Sequence, residues 1–598
     1  MNDNRNLIIA CVLSLLVWFG WQYFIAGPQM RAEQARHAFA QKENAHAAAK
    51  PGHATVRVGP GSLSRSQALG APGARIRVDT PTLDGTIRLS GARFDDLRLK
   101  RYRETVDPKS PEIVLFSPDR TRYPYYAVFG FVGAPTAHVN MPGDSTPWKI
   151  VHGSTLAPGS PVTLQWENGQ GLTFTRTIAV DDQYMFTVTD SVANKTGGPV
   201  ELYPYGLVAR YGIPASQRFW VLHEGFVGAA NGALKDAKYD DFKDNKPPVT
   251  FQSTGGWVGI TDKYWMAAAI PPQNQAFEGT YRATPLENTK AYEADYRIDG
   301  RALAPGATLQ LTQHLFAGAK VFSVISHYQD TLGIERFDFA IDWGWFIFLT
   351  KPMFRLLDFL YNYVGNFGVA ILLLTVIIKL LFFPLADTSY RSMSKMKKLQ
   401  PEIERLRERF ADDKLRQQQE MMELYKREKV NPLSGCLPML IQIPVFFSLY
   451  KVLIVTIEMR HAPFFGWIHD LSAADPTSFL NLFGLLPYSI PAFVPTILHL
   501  GVWPLLMGVT QWLQMKMNPA PADPVQARMF TFMPIIFTFM MATFPAGLII
   551  YWTWNNLLTV AQQYVVMRRQ GVEVHLFNNL KAPAFLRRLT PPRPQAGE

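Results

Sequence analysis

Cysteine is nearly missing from this chain: Cys11 and Cys436 are the two in 598 residues, and both fall at or in apolar runs. A disulfide framework is therefore excluded, no Cys/His spacing assembles a metal site, and no cofactor is expected. No G-x-x-x-x-G-K-[ST] loop occurs, which leaves ATP hydrolysis without its phosphate cradle. Internal repeats are lacking too, whereas secondary transporters usually show two comparable helical halves. Long apolar runs are absent from the middle of the chain. They are confined to the first 26 residues and to roughly the last 240, which defines a two-part membrane protein with a soluble centre.

The net charge of +11 fits nucleic acid in the abstract, but Lys and Arg cluster beside the apolar runs, where membrane orientation places them. No specific nucleic-acid sequence is therefore expected as a partner. Residues 1–26 read as an uncleaved transmembrane signal-anchor. Leu7-Ile-Ile-Ala-Cys11 resembles a lipoprotein box only superficially, because the apolar run continues to Ile25. Residues 27–75, rich in Ala, Gly and Pro, read as a flexible linker.

From 76 to 333 the texture is β. Leu172-Thr-Phe-Thr-Arg-Thr-Ile178 and Tyr184-Met-Phe-Thr-Val-Thr189 alternate apolar and polar residues between turn signals, the pattern of a large antiparallel sandwich. Trp166, Trp220, Trp257 and Trp265 either line a sugar cleft or, as is commoner for such residues, pack in the core. Residues 334–358, punctuated by Asp338, Asp342 and Gly344, are too short and broken to span and read as an interfacial amphipathic helix. Further spans are expected near 359–385, 436–457, 494–515, 529–544 and 547–567, giving six in all. Pro487 and Pro491 make 479–493 interfacial.

Between Pro384 and Val430 there are twelve Lys and Arg, against Arg460 alone in 458–493. The basic segment 386–430 is thus cytosolic, as is the basic tail 568–598, and the β domain lies outside. In a bacterium with an outer membrane that places it in the periplasm and the spans in the inner membrane. Met393, Met396, Leu399, Ile403, Leu406 and Phe410 recur at helical steps, and Leu415, Met422 and Tyr425 continue after a turn, so 386–430 is a helical hairpin. Its Met-rich, basic surface suits varied hydrophobic clients and acidic membrane lipids, or is simply a solvated helix pair.

The chemical oddity is Lys379, inside the apolar run 367–383. An ammonium at mid-bilayer costs roughly 2.5–3.5 kcal/mol on insertion scales, so it needs water, a partner or a substrate, unless it snorkels to nearby headgroups. Thr375 lies one turn earlier. Gln442, Gln511, Asn555 and Asn556 are polar residues in other spans, and together with Lys379 they line a wet groove more plausibly than isolated helix contacts. Pro438, Pro444, Pro534 and Pro545 fit spans that bend around it.

Lys379-Leu-Leu-Phe-Phe-Pro-Leu-Ala-Asp387, Tyr425-Lys-Arg-Glu-Lys-Val-Asn-Pro-Leu-Ser-Gly-Cys436, Leu440-Ile-Gln-Ile-Pro444, Trp467-Ile-His-Asp-Leu-Ser472 and Phe544-Pro-Ala-Gly-Leu548 resemble the YidC-type membrane protein insertases. The likeness is strong in the C-terminal half. The anchor and β domain match the Gram-negative form in architecture more than in motif. The resemblance implies a five-helix insertase core, a periplasmic all-β supersandwich and a hydrophilic groove in the inner leaflet. Its single positive residue corresponds to Lys379, although arginine is the familiar occupant, so a point-charge role is expected rather than bidentate recognition. Substrate-contacting faces carry over to Leu437, Pro438, Ile443, Pro444 and Phe446, and to Ile536, Met540 and Trp552, with Tyr551 beside it. Trp552 stands where the family has tyrosine.

The sequence thus reads as a polytopic α-helical insertase and chaperone that performs no covalent chemistry. Its expected partners are nascent membrane proteins, the Sec translocon and, through the cytosolic loops and tail, the ribosome and signal recognition particle receptor. The rivals are a secondary transporter with Lys379 as coupling charge, and a membrane-anchored periplasmic glycan-binding protein.

Overall fold

The computed structural model describes residues 61–571 apart from 71–72, 135–138, 215–221, 243–245, 287–288, 429, 431–436, 487, 489, 492–493 and 519–523, with the side chains at 414, 437–441, 496, 524–528 and 530 also set aside. The expected anchor, most of the linker, nearly all of the tail, both cysteines, Trp220 and the side chains of Leu437 and Pro438 lie outside that part.

After a short helix α1 (Arg65–Leu69), alternating strands build two stacked sheets, one of eleven strands and one of nine. The strand Leu172–Val180 shows why: its residues alternate strictly between buried and half-buried, so one face joins the core. Pairing is antiparallel except between Arg75–Asp79 and Thr155–Leu156. Side chains from the two sheets meet in the middle, as where Phe94 of one sheet stands edge-on to Phe186 of the other at 5.3 Å between centroids. Trp257 is fully buried against Phe337, Trp166 packs on Phe174, and Trp265 packs on Tyr102, so these three rings serve packing.

The chain then passes through α2 (Phe322–Leu332) and a 3₁₀ turn at Phe337–Ala340 into α3 (Ile347–Val364). Sequence patterning divides this region at 358, and the fold divides it later. Gly365 takes a left-handed φ of 70°, and the Asn366 side chain accepts the Val369 N–H, so one helix ends and α4 (Phe367–Leu381) begins. The apolar stretch expected near 359–385 is therefore shared among three helices, because α5 (Phe383–Arg409) departs from α4 at 67° with Pro384 in its first turn. α6 (Lys414–Arg427) returns along α5, with Asp413 capping its start, to complete the hairpin.

α7 (Leu437–Val455), α8 (Val502–Met517), α9 (Pro524–Met541) and α10 (Ala546–Arg569) make up the rest. Among the described residues no single helix is long and apolar enough to cross a membrane; α4 with α5 passes that test only as a bent pair. α10 is the hub, packing against α4, α5, α7 and α8.

The two halves interlock just beyond α7. Ile457 is buried in the β domain's core, and Phe322 N–H, at the start of α2, donates to Glu458 at 3.0 Å. Arg460 lies over the rings of Tyr264 and Trp265, while Lys451 of α7 pairs with Asp342 at 2.5 Å.

Candidate functional site

Lys379 sits in the last turn of α4, half-buried, and its Nζ donates to Thr559 Oγ1 of α10 at 2.7 Å. No carboxylate lies within ion-pair distance of it among the described residues. Thr375, on the same face one turn earlier, is buried and spends its hydroxyl on the carbonyl of Ile371, so it contributes shape rather than a free donor.

The other expected groove residues form separate links that all end on α10. Asn556 Nδ2 and Trp552 Nε1 both donate to Gln511 Oε1 of α8, at 3.0 and 3.1 Å, and Asn556 also reaches Thr510. Gln442 of α7 donates to the Tyr551 hydroxyl at 2.6 Å. Asn555 is buried with its carbonyl oxygen unpartnered among the described groups. Polar side chains in an apolar interior are costly unless paired, and α10 satisfies most of them by recruiting one neighbour after another.

Several members of this network escape sequence reasoning. Thr559 is the acceptor for Lys379. Buried Gln563 donates to the Met517 carbonyl and to Asn518 Oδ1, and Trp554 Nε1 donates to the Leu372 carbonyl of α4. Asn555, Thr559 and Gln563 are spaced by four, so a polar ladder on one face of the last helix was the available signal.

The candidate contact residues divide. Ile443 on α7 is 45% exposed, and on α9 Ile536 and Met540 are 65% and 42% exposed. With Met529 and Phe532 the last two complete an outward apolar stripe at three- and four-residue steps. Phe446 and Phe537 pack on Trp552 from α7 and α9, with centroids 4.6 and 5.0 Å away, so Trp552 ties three helices together rather than standing free. Pro444 lies within α7, where the ring removes a backbone donor. Tyr551 departs from the expectation. It is 2% exposed with its hydroxyl held by Gln442, so it belongs to the packing behind the face and not to the face.

A half-buried lysine, polar links that converge on α10 and outward apolar residues on α7 and α9, all joined to a large β domain, define the class: a β-rich domain followed by a helical C-terminal region. Residues 75–356 match the family model described as the YidC periplasmic domain, and residues 359–573 match the 60Kd inner membrane protein model. The membrane protein insertase YidC of Methylobacterium radiotolerans is 54% identical, covering 97% of each chain. That of Rhizobium meliloti is 52% identical, covering 97% of this chain and 98% of its own. A crystal structure of an active YidC insertase aligns over 82% of this chain and 94% of its own at 18% identity and a TM-score of 0.35. The chain belongs to the YidC family of membrane protein insertases.

Proposed function

We propose that this insertase receives the polar flank of a client in the Lys379 recess while the client's hydrophobic segment lies along the exposed faces of α7 and α9. The observation that carries the reading is a half-buried ammonium held by one hydroxyl, with no described carboxylate to neutralise it. Such a charge lowers the barrier for an acidic or polar flank that a bare bilayer would oppose. The exposed stripe of Met529, Phe532, Ile536 and Met540 replaces the lipid contacts a transmembrane segment seeks. Lys379, Thr375, Gln442, Gln511, Asn555 and Asn556 form or shape the recess, and Ile443, Ile536 and Met540 make the first contacts.

In this reading the chain has six spans in the bacterial inner membrane, the α5–α6 hairpin and both termini in the cytosol, and 27–335 and 458–493 in the periplasm, following the Lys/Arg asymmetry. It folds and assembles clients alone or with the Sec translocon, and meets the ribosome and the signal recognition particle receptor through the hairpin and tail. It performs no covalent chemistry. Photo-crosslinkers at 443, 536 and 540 are expected to capture a stalled nascent membrane protein, whereas one at 551 does not. Equal capture from all four positions overturns the assignment of the contact face. External labelling of intact cells is expected to modify a cysteine introduced near 200 and to spare one near 410; the reverse pattern overturns the topology.

A further inference from the structure

The α5–α6 hairpin is basic as a whole, yet it encloses a cavity of about 210 Å³ lined by Glu402, Leu406, Glu420, Glu423, Leu424 and Arg427. Leu424 is buried, and Leu406 is half-buried. Arg427 is already engaged with Glu402 at 2.8 Å, while Glu420 and Glu423 have no ion pair among the described residues. The lining therefore combines two apolar side chains with a net charge of about −2 at neutral pH. It suits a short segment that carries both apolar and cationic side chains.

The chain supplies one next door. Where α10 ends, the Gln570 carbonyl accepts a hydrogen bond from Lys398 Nζ of α5 at 2.7 Å. Glu402 lies one turn further along α5, about 6 Å away. Residues 572–598, outside the described part, start from that point and include Phe585-Leu-Arg-Arg-Leu589, an apolar and doubly cationic run. The fifteen residues from Gly571 to Leu586 reach at most roughly 50 Å when extended. Fifteen residues with the dimensions of a random coil average about 20 Å end to end, which spans the distance.

We propose that residues 585–589 dock into the hairpin cavity of the same chain, with Phe585 or Leu586 against Leu406 and Leu424, and Arg587 and Arg588 on Glu420 and Glu423. Guanidinium groups take carboxylates in a forked, two-bond geometry that a lysine cannot offer. Tethering gives an effective concentration on the order of millimolar, so an intrinsically weak contact is enough to populate the docked state. A docked tail covers an acidic spot on a hairpin that is basic as a whole. The proposal is independent of the client reading, because it needs only the placement of α5, α6 and the end of α10.

The test uses the full-length protein in lipid nanodiscs with a photo-crosslinking residue at 586. Adducts to 402–427 within one chain are expected, at a yield independent of protein concentration and reduced by added salt. Arg587→Glu with Arg588→Glu is expected to lower that yield about fivefold or more, since like charges then face each other. Glu420→Arg with Glu423→Arg, added to the tail reversal, is expected to restore it, which a merely misfolded hairpin does not do. Adducts that go only to lipid or to a second copy overturn the proposal, as does a yield unmoved by either reversal or a double reversal without recovery.

Discussion

The buried arginines of the β domain and Lys379 of the helical half are held in different ways. In the β domain Arg93 meets Asp119 and Asp144, Arg176 takes both oxygens of Asp190, Arg210 meets Asp262, and Arg282 meets Asp295. Each of these arginines has its anion, whereas Lys320, also buried in that domain, is held by the Thr261 hydroxyl and the Asp262 carbonyl. In the helical half Lys379 has a hydroxyl and no carboxylate among the described residues, and the neighbouring links run through Gln, Asn, Thr and Trp. An arginine paired with a carboxylate has little field left for a passing chain, whereas a cation held only by a hydroxyl keeps an outward one. Under the function proposed above, the sheets give support and the helices handle clients. The clamp at Ile457 and Glu458 connects the two.

The largest effect should come from opening the closed half. Arg176→Ala strands Asp190, which is 2% exposed, and removing one partner of a buried pair costs about 3–5 kcal/mol. Thermal unfolding of the purified variant should show the β transition lowered while folded protein still inserts clients at permissive temperature. Loss of insertion without loss of stability would break the division of labour.

Next comes the open half. Lys379→Glu should reduce insertion of acidic-flanked clients about tenfold or more, because attraction becomes repulsion at reduced dielectric. Lys379→Ala should fall between Glu and wild type, and Lys379→Arg should be tolerated. Clients with neutral flanks should be affected least. If wild type and all three variants insert both client types equally at matched expression, Lys379 is a snorkelling structural residue and the contrast between the halves loses its functional meaning.

A smaller loss, of about two- to fivefold, is expected for Thr559→Val, which keeps the volume and removes the one hydroxyl that holds the ammonium. Thr559→Ser should restore activity. Failure of serine to rescue would reduce Thr559 to a packing residue.

The smallest effect concerns the clamp. Burial pushes the Glu458 carboxyl up to about 7, against the lowering pull of the Phe322 N–H; its second oxygen is out of solvent without a partner. The folded state therefore binds the proton more tightly than the unfolded chain, whose glutamate titrates near ~4.3. Stability from this group is present at low pH and is lost as pH rises through that window towards about 7. Glu458→Gln should flatten the pH dependence of protease sensitivity between the halves across that range. An unchanged profile would show that the clamp holds regardless of the charge.

Periodicity and composition determine a good deal here. The alternation in Leu172–Val180 and the steps of three and four along α5 place strands and helices, and an apolar run containing Lys379 marks the place where chemistry must be explained. Glycine and proline at 365 and 384 carry the helix breaks in plain view, although patterning put the first break several residues too early. These properties are readable because hydropathy, charge and backbone restriction are local to a few turns of chain. Only the tertiary structure decides that Thr559, 180 residues away, holds Lys379, that Gln442 takes the Tyr551 hydroxyl and thereby turns Tyr551 inward, and that Trp552 joins α7, α8 and α9. Partner choice across helices depends on the rotation and depth at which each helix packs. A polar residue's spacing on its own helix fixes its face, but the neighbour that face meets is set by how α10 seats among four others.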